Sequence, residues 1–162
     1  MAYDVFLDID GIPGESMDAK YKDKIAVRSF SFGVSQAGSF AHNSGGGAGK
    51  ADFTAFKFLK HTDSASHLLF LHCANGQHIK QAVLIVRKAG GEQRDFLKVT
   101  MTDVLVQSFS TVGDPQGAES QPLEDVTLGF STIKFSYAKQ KQDGSMEAFK
   151  DAGWSLKENR KL

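Results

Sequence analysis

The chain has 162 residues, enough for one domain with its own core and short for two. Acidic and basic residues balance at 19 each, so no global field draws the protein onto nucleic acid or an anionic membrane. A single cysteine excludes an intramolecular disulfide, and 13 phenylalanines weight the composition toward β structure.

The N-terminus, MAYDVFLDID, has neither a basic n-region nor an apolar h-region, and no segment reaches transmembrane length. The expectation is a protein made in the cytoplasm and not inserted into a membrane, whose export, if it occurs, uses no signal peptide. Tyr3, Val5, Leu7 and Ile9 alternate with Asp4, Phe6 and Asp8, which predicts a strand with one wetter face. Ile12-Pro13-Gly14 breaks it, and Glu15 to Lys24 reads as a loop or one short turn. Ile25 to Val34 is the next predicted strand. It sets Phe30, Phe32 and Val34 on one face and Ser29, Ser31 and Gly33 on the other. A face of small hydroxyls and glycine is too polar for a core and suits water or a changeable partner.

Ser35 to Lys50 is the least structured stretch, long for a hairpin connection and rich in glycine. Ala51 to Leu59 resumes as strand. Thr62 to Asn75 is the one good helix candidate, with Thr62 or Asp63 as N-cap and Gly76 past its end. Ala82 to Ser110 reads as two long strands joined by a tight Gly90-Gly91 turn, where glycine supplies positive φ. The second strand changes phase. Leu97, Val99 and Met101 share one parity, and Val104 and Val106 the other. The strand from Glu124 to Lys139 does the same, with Val126, Leu128 and Phe130 followed by Ile133, Phe135 and Tyr137. Two strands that change phase midway indicate a sheet coiling onto itself. Val112 to Leu123 and Gln140 to Asp151 are loops, and Trp154 to Leu156 forms a last short strand before the basic tail Lys157 to Lys161. The predicted fold is mainly β: a small β-barrel of two packed sheets with one α-helix and a long extended loop.

No catalytic constellation emerges. Ser44-Gly45-Gly46-Gly47-Ala48-Gly49-Lys50-Ala51 resembles a phosphate loop, but Ala51 lacks the hydroxyl that would bind magnesium and the next segment is a strand. Gly33-Val34-Ser35-Gln36-Ala37 lacks the strand-to-helix turn that a nucleophile elbow requires. Asp8-Ile9-Asp10-Gly11 fails as a calcium loop at both ends, where Phe6 and Met17 would be ligands. His42, His61, His67, His72 and His78 form no metal-ligand spacing, and Cys73 lies in an apolar run as a small core residue. The reading favours a structural or interaction protein with no cofactor over an enzyme. Two alternatives stay open: a monomeric β-barrel that holds a ligand with the glycine loop, and a hydrolase built on Ser35 and a distant histidine.

Several blocks of the chain together resemble the Hcp family, the inner-tube proteins of bacterial type VI secretion systems. They are Asp4-Val5-Phe6-Leu7-Asp8-Ile9, Pro13-Gly14-Glu15-Ser16, Ser29-Phe30-Ser31-Phe32-Gly33-Val34-Ser35-Gln36, Gly47-Ala48-Gly49-Lys50, Arg87-Lys88-Ala89-Gly90-Gly91-Glu92 with Phe96-Leu97 and Asp103-Val104-Leu105-Val106-Gln107-Ser108, and Gly153-Trp154. Many members carry tryptophan where this chain has Phe30 and Phe32. The resemblance implies a homohexameric ring that stacks into a tube, a VgrG spike as cap, a contractile sheath that expels it, and effector proteins held in the channel. On that footing Ser29 and Ser31 are expected to line the channel. The arm from Gly38 to Lys50, with Gly45, Gly46, Gly47, Gly49 and Lys50, is expected to reach the next ring. Gly90-Gly91 is expected at a ring face near Lys157 of the next ring.

Overall fold

The computed structural model of the chain describes residues 3–38 and 49–162. Nine strands form one coiled sheet and two more form a separate ribbon, with a single helix among the described residues. The barrel is not closed by a continuous hydrogen-bond ladder.

The centre is a meander of long strands, β7 (Ile79–Lys88), β8 (Asp95–Val112) and β9 (Leu123–Tyr137). The first strand, β1 (Tyr3–Ile9), lies along β7 over its full length, from Tyr3 opposite Lys88 to Ile9 opposite Ala82. Its alternation works as predicted on one side: Val5, Leu7 and Ile9 enter the main core. The other side is drier than expected. Phe6 stacks on Tyr21 with ring centroids 5.0 Å apart, and Ile85 joins them in a second small cluster. Tyr21 comes from the loop 15–24, which lies over this face as a strap.

The strap is locked by charge. Arg87, 3% exposed, pairs with Asp18 and Asp4 and lies over the Phe6 ring at 4.9 Å. Tyr21 Oη donates to Asp95 at 2.5 Å. The bond from Arg87 is the main reason that the Asp18 carboxyl is lowered to about 2. Gly14 closes the strap's base: a Cβ there would lie 2.5 Å from the Lys24 carbonyl oxygen, which no side chain can accommodate.

The predicted strand Ile25 to Val34 is three pieces: β2 (Ile25–Ala26), β3 (Ser29–Ser31) and β4 (Val34–Gln36). Each piece has a different partner, which is why the strand breaks. β2 pairs with β1, β3 with β6 (Phe56–His61), and β4 with β5 (Ala51–Phe53). Between β2 and β3 the chain steps across the barrel seam, with Val27 N–H donating to Val5 and Arg28 N–H to Leu59. The predicted strand Ala51 to Leu59 breaks in the matching place, where Thr54 N–H donates to the Gly33 carbonyl at 2.9 Å. Ser35 and Gln36, expected in the loop, belong to the ribbon.

The helix α1 (Ser66–Asn75) starts later than expected, with Ala65 at its N-cap position. Asp63 builds the turn before it, accepting the Ala65 N–H at 2.9 Å. Ser66 is held in turn by a buried pair: its hydroxyl bonds Glu124, and Glu124 receives Lys60 Nζ at 2.6 Å. Gly76 ends the helix as predicted, at φ 68°. The Gly90-Gly91 glycines do take positive φ, 86° and 60°, but the connection spans residues 89–94 and is not a tight turn. The tail also folds. β11 (Arg160–Lys161) returns along β10 (Lys150–Ser155), with Lys161 opposite Trp154.

Both phase changes are real. In β8, Val99 and Met101 are buried before Asp103, and Val104 and Val106 after it. The cause is Asp103, whose φ of 51° is left-handed and turns the pleat over. A β-bulge at Gln107 adds another shift, so that Phe109 packs against the core.

Candidate functional site: an apolar shelf and a hydroxyl-lined face

The barrel wall does not cover its own interior evenly. One row across the sheet reads Leu7, Leu84, Val99, Phe135, Ala152. Leu7, Leu84 and Val99 are fully buried, whereas Phe135, on the same face of the next strand, is 44% exposed. The next row runs from Val5 through Val86 and Leu97 to Tyr137, which is 49% exposed. The reason is the change of partner along β9. Its first half, Leu123–Leu128, is paired with β6, which sets Phe56 and Phe58 beside Leu128 and Val126, while its second half, Thr132–Tyr137, is paired with β10, which sets Ala152 and Lys150 beside Phe135 and Tyr137. The inward face therefore continues past the barrel as an open shelf. Phe32 bridges the two regions, with its ring 6.0 Å from Phe56 and 6.2 Å from Phe135.

The β4–β5 ribbon stands at the edge of this shelf and adds Val34 and Phe53. Between them lies an apolar groove of about 310 Å³, lined chiefly by Phe32, Val34, Phe53, Ile133, Phe135 and Trp154. Among the described residues no charged side chain lines it. Exposed aromatic surface of this kind is unfavourable in water and marks a surface that another molecule covers.

A second surface has the opposite chemistry. On the outer side of β3, β6, the first half of β9 and the end of β8, two rows read Ser31, Lys57, Thr127, Ser108 and Ser29, Leu59, Asp125, Ser110. Hydroxyls occupy most positions, and the one lysine and one aspartate cancel. Such side chains donate and accept hydrogen bonds in any direction and have no aromatic or large aliphatic grip. Beside this face, Glu119 of the loop 113–122 receives His61 at 2.8 Å and pairs with Arg28. Those two bonds, His61 first, hold the Glu119 carboxyl below its usual range.

The Type VI secretion system effector, Hcp, family profile matches residues 6–137. The chain belongs to the Hcp family. It is 40% identical to Protein hcp1 of Pseudomonas aeruginosa over 161 residues, 98% of each chain. The crystal structure of Hcp1 from Salmonella typhimurium matches all of both chains with a TM-score of 0.84 at 40% identity. A structure described as that of a type six secretion system protein matches at a TM-score of 0.94 and 28% identity, over 99% of this chain and 100% of that one.

In this Hcp chain the structure brings Ser29 and Ser31 together on the hydroxyl face with Ser108, Ser110 and Thr127, which the sequence reading did not single out. The signal was there: Ser108 and Ser110 alternate in β8 as Ser29 and Ser31 do in β3. Gly90 and Gly91 are exposed at the end of the β7–β8 hairpin. Lys157 is exposed in the β10–β11 turn, and its charge helps to lower the Asp103 carboxyl pKa. Asp103 is eight residues along β8 from Asp95, about 27 Å from the hairpin end. Gly49 and Lys50 are exposed at the root of β5, and Gly45, Gly46 and Gly47 lie outside the described residues. His78 bonds Asp103, and His72 bonds the Leu68 carbonyl of its own helix. Among the described residues no group of three or more His, Cys, Asp or Glu side chains is arranged to hold a metal, and no helix is long and apolar enough to cross a membrane. The family match, the relative and the structural match support a type VI secretion tube or effector protein of the Hcp family.

Proposed function

We propose that this chain is a structural subunit of the type VI secretion inner tube, with no catalytic role, and that copies join into hexameric rings that stack. The observation that carries this reading is the shelf. A barrel whose apolar interior continues into an open, uncharged groove is incomplete alone. A copy that uses its shelf against a different surface of the next copy makes a heterologous contact, and such contacts close into a ring when the rotation fits.

The hydroxyl face supports the second part of the proposal. With the shelf turned toward a neighbour, the face carrying Ser29 and Ser31 is free to line a channel. Small neutral hydroxyls suit the passage of effector proteins, because they hold many partners weakly and none tightly. The arm from Gly38 to Lys50 and the Gly90-Gly91 turn are proposed to meet the next ring, the latter close to its Lys157. Family membership supports the remaining partners: a VgrG spike on the tube, a contractile sheath around it, and release from the bacterial cytoplasm without a signal peptide.

The test is solution mass by light scattering on a sizing column, with negative-stain images of the peak. A six-fold mass with annular particles is expected. A monomer at every concentration would overturn the ring and leave the shelf groove as a ligand pocket in a single barrel.

A further inference from the structure

The shelf and the hydroxyl face meet at one bend. At Asp103 the buried parity of β8 inverts. On the facing strand the outer neighbour changes from β6 to β10 between Leu128 and Thr132. Asp103 lies between the pairs Thr102–Thr132 and Val104–Phe130, which places it opposite Ser131. Its carboxylate ties β8 to β9 and to the residue just before β7. Oδ2 accepts the Ser131 hydroxyl of β9 at 2.7 Å, and Oδ1 accepts His78 Nδ1, just before β7, at 2.7 Å. The Ser131 carbonyl in turn accepts the Leu156 N–H from the β10–β11 turn at 2.8 Å, and Lys157 adds positive charge. The carboxyl is held below its usual range by the His78 bond first and the Ser131 bond second.

Stability alone does not account for this arrangement. The Asp103 side chain is 52% exposed and that of His78 66%, so the pair is screened and contributes little to folding. The backbone is left-handed, which strains any residue other than glycine, although aspartate tolerates it better than most. A strained, exposed aspartate bonded to two neighbouring segments is a geometric device.

We propose that Asp103 is the positioning residue of ring closure: its carboxylate clamps the bend of β8 and β9 and fixes the angle between each subunit's shelf and its hydroxyl face. The proposal rests on the ring reading above. A ring closes only if every subunit turns the chain of contacts by the same angle, and errors accumulate from copy to copy. A β-sheet has no fixed twist of its own, since strand-to-strand rotation spans about 10° to 35°. A side-chain bridge from β8 to β9 and to the segment entering β7 removes that freedom at the bend.

The test compares Asp103→Gly with Asp103→Asn. Glycine keeps the positive φ without strain and deletes the clamp. Asparagine keeps the side chain's length and its tolerance of that φ, and can bond both partners. In a Cys73→Ser background, spin labels on Lys57→Cys and Lys150→Cys report the angle between the two regions as a distance distribution by pulsed EPR. Asp103→Gly is expected to broaden that distribution and to raise the concentration needed for ring assembly about tenfold or more, while Asp103→Asn assembles within about twofold of the parent. The midpoint of thermal unfolding serves as the control for a merely structural role and should scarcely move. A glycine variant with the parent's distance width, or with the parent's assembly at equal concentration, overturns the proposal. Absence of rings in the parent overturns the tube and with it the closure role. The label widths, measured on the same protein, tell that failure apart from failure of the clamp.

Discussion

The two halves of β9 carry the same kinds of side chain and meet opposite fates. Val126 and Leu128 are fully buried beside Phe58 and Phe56 of β6, whereas Phe135 and Tyr137 stand half in water beside Ala152 and Lys150 of β10. The difference is not hydrophobicity. It is which side chains the paired strand sets beside them, phenylalanines from β6 or alanine and lysine from β10. In the first half a phenylalanine contributes to folding, and in the second to whatever covers the shelf. The same residue type therefore reports on two different equilibria, and substitutions along one strand separate them.

The largest effect is expected on the closed side. Phe56→Ala empties a fully buried site and should cost about 3–5 kcal/mol in a urea melt; a loss under 1 kcal/mol would mean that the barrel is looser than its packing. On the open side Phe135→Ser should leave the melt within about 1 kcal/mol and abolish self-association on a sizing column. Equal loss of stability and association would erase the distinction between the halves.

The strap gives a third contrast, since it locks the closed side by charge. Asp18 has a folded pKa lowered to about 2 against an ordinary value of 3.8. A lowered carboxyl pKa stabilises the fold above the unfolded value and loses that contribution as pH falls from about 4 toward 2. Urea midpoints measured across that window should fall, and more steeply in the parent than in Asp18→Asn. Parallel curves would remove Asp18 from the account.

Two smaller effects address stacking and cargo. With Cys73→Ser, Gly90→Cys and Lys157→Cys should form a disulfide between stacked rings under mild oxidation, visible as a ladder on a non-reducing gel. Only monomer on that gel would place the hairpin elsewhere. Ser31→Trp should leave ring mass and melting unchanged and reduce co-purification of effector proteins. Undiminished retention would remove the hydroxyl face from the channel.

Local signals in the sequence reached far into the fold. The alternation of Tyr3 to Ile9 gave the bounds of β1, Gly76 the helix end, and the parity change after Met101 the bend at Asp103. What escaped was decided by distant partners. Nothing within Ile25 to Val34 says that Val27 bonds β1 and Arg28 bonds β6. Nothing around Tyr21 says that its ring will stack on Phe6 and its hydroxyl bond Asp95, 74 residues away. The shelf was half legible. Phe135 and Tyr137 were placed on one face with Ile133, but only the positions of β6 and β10 show that this face lies open.

The pairing of β1 has a consequence for how the chain matures. Tyr3 lies opposite Lys88, and β2 in turn needs β1. The β7–β8–β9 meander joins neighbours in sequence and can form early, as contacts of short separation do. β1 is synthesised well before β7, and until then only the two-residue β2 can pair with it, at Phe6 and Leu7. Until β7 follows, most of β1, with Val5 and Ile9, lacks its main ladder partner. A cell that makes this subunit in quantity therefore has a nascent apolar segment to shield.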